Sequence, residues 1–167
     1  YEEHVAISSI NPALSESDRE IEDEASIFAE QHGFLYSGFW EVTNRCNEKC
    51  VHCFNPGAPH TVDEKSNRDM DELSTDEGIA MISNLRKSGA YRLVMSGGEV
   101  FLRKDIWELI EHARSLRMQV HIYTNGLLLD DDKLEKLAKL YPETVSISIY
   151  SAIPEVHDEI TKVPGSF

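Results

Sequence analysis

The sequence predicts an α/β fold of repeated strand–helix units, the N-terminal half of a partial (βα) barrel of the TIM type, preceded by an acidic helix. Three observations carry this. Short apolar segments with strand character alternate four times with segments of helical periodicity. Turn and capping residues punctuate the alternation at most boundaries. Residues 1–36 are strongly acidic, unlike the chain that follows.

The acidic segment comes first. Glu16, Asp18, Glu20, Glu22, Asp23, Glu24 and Glu30 face a single base, Arg19. Ser15 or Ser17 can cap a helix over residues 18–32, and Gly33 can end it. Ile21, Ala25, Phe28, Ala29 and His32 then share one face. Residues 39–43 form a short strand, and the polar stretch 55–73 reads as a loop. Ser74-Thr75-Asp76-Glu77 is a capping-box start for a helix to about Ser88, stopped by Gly89. A strand over 91–95 leads to a helix over 104–117 with Ile106, Leu109, Ile110 and Ala113 on one face. A strand over 119–124 ends in Asn125-Gly126. A helix over 130–140 buries Leu134, Leu137, Ala138 and Tyr141. A fourth strand over 144–150 precedes a helix opened by Pro154.

Such alternation is the signature of βαβ units and a parallel sheet. Four strands cannot close a barrel, so the chain reads as a fragment or half-barrel cut after its fourth strand. A flavodoxin-like sheet is the structural alternative. The start at Tyr1, without Met, points to an origin inside a longer protein.

Composition narrows the function classes. The formal charge of −14 argues against a nucleic-acid partner, which needs clustered Lys and Arg. No apolar run approaches the roughly 18 residues of a membrane span, and no signal peptide opens the chain. A cytoplasmic protein is expected. The three Cys all lie within eight residues, a spacing for metal and not for a disulfide framework.

Cys46-Asn47-Glu48-Lys49-Cys50-Val51-His52-Cys53 has the spacing C-x3-C-x2-C and follows the first strand. The C-terminal ends of strands are where βα folds build active sites. Two metal chemistries fit. A Cys3His zinc module would add His52 or His60 to the three thiolates. An iron–sulfur cubane on three Cys would leave one iron open to a small ligand.

Ser96-Gly97-Gly98-Glu99 follows the second strand. Together with the Cys spacing, it resembles the radical S-adenosylmethionine superfamily over about residues 39–167. The domain division that follows is residues 1–36 as an acidic linker or the tail of an upstream domain, and 37–167 as the radical core. The resemblance implies a [4Fe–4S] cluster on Cys46, Cys50 and Cys53. The cluster would cleave S-adenosylmethionine reductively to a 5′-deoxyadenosyl radical that abstracts hydrogen from a substrate. His52, Gly97, Gly98, Glu99, Thr124, Asn125 and Ser148 are the implied cofactor-binding residues. The glycines would admit the methionine portion of the cofactor, with Glu99 pairing with its ammonium. Thr124-Asn125-Gly126 would face the cofactor, and Ser148 would meet its carboxylate or ribose. Two positions depart from the family pattern. Val100 stands where Pro is usual, and Tyr150 where many relatives carry an acid.

Ser148-Ile149-Tyr150-Ser151, Glu155-Val156-His157-Asp158 and Pro164-Gly165-Ser166-Phe167 resemble peptide- and protein-modifying maturases with extra clusters. A peptide substrate and a reductant such as a ferredoxin or flavodoxin are implied. No catalytic residue is singled out. His157 and Asp158 read as helix-capping residues and Trp40 and Trp107 as packing; His121 alternates on the third strand either into the barrel near substrate or, the favoured reading, as a hydrogen-bonded core histidine. His4, His32 and His112 have no ligand spacing. The competing readings are the zinc interaction module and a non-catalytic barrel fragment.

Overall fold

A computed structural model describes residues 16–54 and 72–167. Ser15, His4 and His60 lie outside the described residues, as does most of the 55–73 loop. The elements are α1 (Glu16–His32), β1 (Ser37–Thr43), α2 (Thr75–Lys87), β2 (Arg92–Gly97), α3 (Ile106–Ser115), β3 (Gln119–Thr124), α4 (Asp131–Leu140), β4 (Thr144–Ile147) and α5 (Pro154–Thr161). A short 3-10 turn, Val100–Leu102, follows β2.

All four strands are parallel and lie in chain order, β1-β2-β3-β4. A flavodoxin-like sheet would reverse direction at its second strand. Consecutive order instead makes one wall of a barrel, as expected. Strand alternation separates its two faces. Leu93, Met95, Val120 and Ile122 are fully buried with Ile82 of α2 and Ile106, Leu109 and Ile110 of α3. Each fully buried Leu or Ile contributes about 1.5–3 kcal/mol. Trp40 and Trp107 pack against this core.

The other face is the barrel interior. Register places Phe39, Val94, His121 and Thr144 side by side there. His121 departs from expectation. Its Nε2 is buried and has no hydrogen-bond partner among the described residues.

The capping box of α2 forms as the sequence predicts. Ser74 accepts from the Glu77 N–H, and Glu77 accepts from Ser74 N at 2.9 Å. Gly89, at φ +103°, follows the helix end. Two predicted apolar faces are not buried. In α1 only Ala29 of the five is buried, while Ile21 and Phe28 are more than half exposed. This helix docks through a polar contact instead. Glu22 accepts from Arg92, the first residue of β2, and from Gln119, the first of β3, at 2.7 Å. In α4 Leu137 is buried, but Leu134, Ala138 and Tyr141 are exposed. That helix packs beside α3 at the open edge of the sheet, so one turn suffices to meet the core. β4 also ends at Ile147, short of the predicted 150. Ser148 still donates to Thr124 O, but Tyr150 N turns to His157 Nδ1 at 3.2 Å.

Candidate active site

The site is assembled at the C-terminal ends of the four strands. The Cys loop leaves β1 and is tied down on two sides. On one side, Gly98 N donates to Thr43 O at 2.8 Å and Glu99 N to Arg45 O at 2.7 Å. A Cβ at Gly97 would lie 2.2 Å from Thr43 O, and one at Gly98 would lie 2.1 Å from Arg45 O. Gly97 also sits at φ +137°. The two glycines are therefore required by the close passage of the Cys loop itself. On the other side, Lys49 N and Val51 N donate to Thr161 O and Ile160 O, both at 2.9 Å. These are carbonyls at the end of α5, where the helix leaves acceptors open.

A cavity of about 210 Å³ opens between these loops. Cys46, Cys50 and Cys53 line it, with His52, Ser96, Gly97, Gly98, Thr124, Asn125 and Ser148. Glu48, Phe54, Tyr123 and Tyr150 also line it. Sequence spacing had not singled these four out as site residues. Of the ten site residues expected from the sequence, Glu99 alone is not in the lining.

Glu99 is fully buried beneath the cavity. Its Oε1 accepts from Phe101 N at 3.0 Å and Thr124 Oγ1 at 2.8 Å, and its Oε2 accepts from Asn125 N at 2.8 Å. It caps the 3-10 turn and joins the ends of β2 and β3. Val100, in the place of the usual Pro, is fully buried in the core. Asn125 extends the link to the Cys loop, donating from Nδ2 to Asn47 Oδ1 at 2.7 Å.

The electrostatics are those of a buried anionic site. Burial pushes the Cys46 thiol up. Burial, reinforced by the Glu48 carboxylate, pushes the Cys50 thiol up to about 12. Cys50 Sγ donates to Glu48 Oε2 at 3.3 Å. Burial raises Glu48 and, against its three hydrogen bonds, Glu99 as well. A bound metal centre inverts this balance, because its positive charge stabilises thiolates and its binding releases protons.

Among the described residues, no group of three His, Cys, Asp or Glu side chains is arranged to hold a single metal ion. A cubane makes a different demand, since its thiolate ligands bind different irons and need not converge on one point. Three thiols around one cavity, on a loop packed closely against two glycines, fit such a group.

A family model described as the Radical SAM superfamily matches residues 40–167. The chain belongs to the radical SAM superfamily. Membership implies an iron–sulfur cluster and S-adenosylmethionine. This radical SAM chain is 38% identical over 128 residues to the Fe-coproporphyrin III synthase of Methanosarcina barkeri (strain Fusaro / DSM 804), covering 77% of this chain and 30% of that protein. It is 34% identical to the mycofactocin maturase MftC of Mycolicibacterium smegmatis, over 77% of this chain and 30% of that one. It is 31% identical over 143 residues to the PqqA peptide cyclase of Rhodopseudomonas palustris, covering 86% and 36%. The chain thus spans about a third of the length of these curated relatives. The fold resembles that of Streptococcus suis SuiB, solved bound to the precursor peptide SuiA. The TM-score is 0.62 at 17% identity, over 98% of this chain and 36% of that chain. Among the described residues, no helix is long and apolar enough to cross a membrane.

Proposed function

We propose that this chain is the cofactor-binding part of a radical SAM enzyme that modifies a peptide. Cys46, Cys50 and Cys53 would hold a [4Fe–4S] cluster. Once bound, the cluster and S-adenosylmethionine supply reductive cleavage and hydrogen abstraction from an unactivated carbon. The chain's own residues bind and orient. Ser96, the Gly97-Gly98 backbone, Asn125 and Ser148 offer polar groups to the cofactor, and His52 offers a ring. Glu99 acts from below, holding the ends of β2 and β3 at a fixed separation. The observation that carries the reading is the convergence of all three thiols and these groups on one cavity. A one-electron donor of the ferredoxin or flavodoxin type and a cytoplasmic location belong to the same proposal. So does a division of the chain at residue 36, with the segment before it a linker or the tail of another domain.

The peptide substrate is supported by the likeness to MftC and the PqqA peptide cyclase. A tetrapyrrole substrate is the second reading, favoured by the 38% identity to Fe-coproporphyrin III synthase. The deciding assay uses the full-length protein, reconstituted anaerobically with iron and sulfide, reduced with dithionite and given S-adenosylmethionine. 5′-Deoxyadenosine is expected, and Cys50→Ala is expected to abolish it. Bound zinc without product would sink the radical reading. Release of 5′-deoxyadenosine that rises on adding a tetrapyrrole precursor of Fe-coproporphyrin III would replace the peptide reading with the tetrapyrrole one.

A further inference from the structure

The end of α5 grips the Cys loop on both sides of Cys50, because the Lys49 and Val51 amides donate to Thr161 O and Ile160 O. One turn earlier on the same helix stands His157, which is 3% exposed. It holds Tyr150 in two ways. Its Nδ1 accepts from Tyr150 N at 3.2 Å, and its ring stacks on the phenol ring with centroids 5.6 Å apart at 22°. A backbone N–H can only donate, so Nδ1 is the acceptor and a neutral ring carries its proton on Nε2. Phe167 meets His157 edge-on at 5.7 Å.

Tyr150 passes this order on to the cavity wall. Its ring meets that of His52 edge-on, with centroids 4.4 Å apart and planes at 82°. His52 lies between Cys50 and Cys53, is exposed, and lines the cavity. Among the described residues Tyr150 is its one ring contact, and its side chain makes no hydrogen bond.

An exposed ring with no neighbour samples several rotamers, and fixing it when a ligand arrives weakens binding. An edge-on aromatic partner selects one orientation beforehand. We propose that His157 is a positioning residue for S-adenosylmethionine: acting through Tyr150, it holds the His52 ring at the cavity wall in advance of binding. The inference rests on the reading of this cavity as the cofactor site. It is independent of which substrate the enzyme takes.

The test is a double-mutant cycle on cofactor affinity. Isothermal titration calorimetry measures S-adenosylmethionine binding to the reconstituted, unreduced full-length protein, so no turnover intervenes. The proteins compared are wild type, His157→Leu, His52→Ala and the double variant. Freeing one side chain should raise Kd about three- to tenfold in H157L, with iron and sulfide content unchanged. H52A should raise it as well, and adding H157L to H52A should raise it no further. A wild-type Kd in loaded H157L or in loaded H52A would overturn the proposal. So would a full H157L effect in the H52A background, because His157 would then support the fold and not the His52 ring. Should H157L fail to fold, Tyr150→Leu removes the intervening ring and keeps the backbone N–H that His157 accepts. Its Kd should rise in the same way and should not rise further on H52A; a wild-type Kd in loaded Y150L would overturn the proposal. Wild-type protein that takes up no iron and sulfide, or that loads and binds no S-adenosylmethionine, overturns the proposed function itself, a result distinct from a cofactor affinity that ignores His157.

Discussion

At Glu99 three donors from two loops meet one buried carboxylate. Glu99→Ala strips all three of their acceptor at once. An unsatisfied buried donor costs about 1–3 kcal/mol, so the loss should be about 3 kcal/mol or more, read as a lower urea midpoint. If the side chain instead served only to contact the cofactor, E99A would leave the stability of the cofactor-free protein unchanged. Gly98 makes a comparable demand on the backbone. A methyl group there would lie 2.1 Å from Arg45 O. Gly98→Ala should force the Gly98 and Glu99 amides off their partners on the Cys loop, costing about 2–3 kcal/mol.

Between strand ends and helices, two small polar knots hold the loops. Arg103 is almost fully buried, donating to Val42 O and Leu73 O and pairing with Asp105, while Asp105 accepts from Thr75. This knot joins β1, the start of α2 and the start of α3. Arg103→Met should lower stability by about 2–3 kcal/mol, less than for a fully buried pair because Asp105 keeps some water contact. After α5, Asp158 accepts from the Gly165, Ser166 and Phe167 amides. The Gly165 bond foremost, with Ser166 and Phe167, holds its carboxyl below the ordinary 3.8. A folded value below the unfolded one means that its stabilisation is complete above pH 3.8 and is lost as pH falls through the folded value. Protection factors of the amides at residues 165–167 should therefore fall as pH drops below 3.8, and in Asp158→Asn they should already be low at neutral pH. The capping expected of Asp158 is thus exerted on the turn that follows the helix, and His157 turns inward to Tyr150.

Across the whole molecule, α1 lies against the ends of β2 and β3 opposite the Cys loop. Glu22 anchors it there, with Arg92 and Gln119 as partners. The pair is partly exposed, so Glu22→Ala should cost only about 1 kcal/mol globally. The local effect is larger: hydrogen exchange across α1 should rise while β2 and β3 stay protected. Equal loss of protection in the strands would show that α1 is integral to the barrel wall and not an appended helix. The exposed apolar residues of α1 and α4 have the same origin at this scale. Each helix touches the wall over a narrow strip, so a helical apolar stripe in the sequence overstates what is buried.

The strand–helix alternation, the caps and the Cys spacing were legible because each is a local property, written within a few residues. So was the location of the site, because C-x3-C-x2-C and Gly-Gly-Glu fall at the ends of successive strands. The partners of individual side chains were decided by the tertiary structure. Glu22 meets Gln119 across 97 positions and Glu99 meets Asn125 across 26. No periodicity encodes such pairings, because they depend on which strand ends the parallel sheet brings together. The same holds for Tyr150, whose place between His52 and His157 exists only once α5 folds back onto the Cys loop. Sequence alone determined which chemistry the chain can carry; packing determined which groups touch the sulfur and which hold the frame around it.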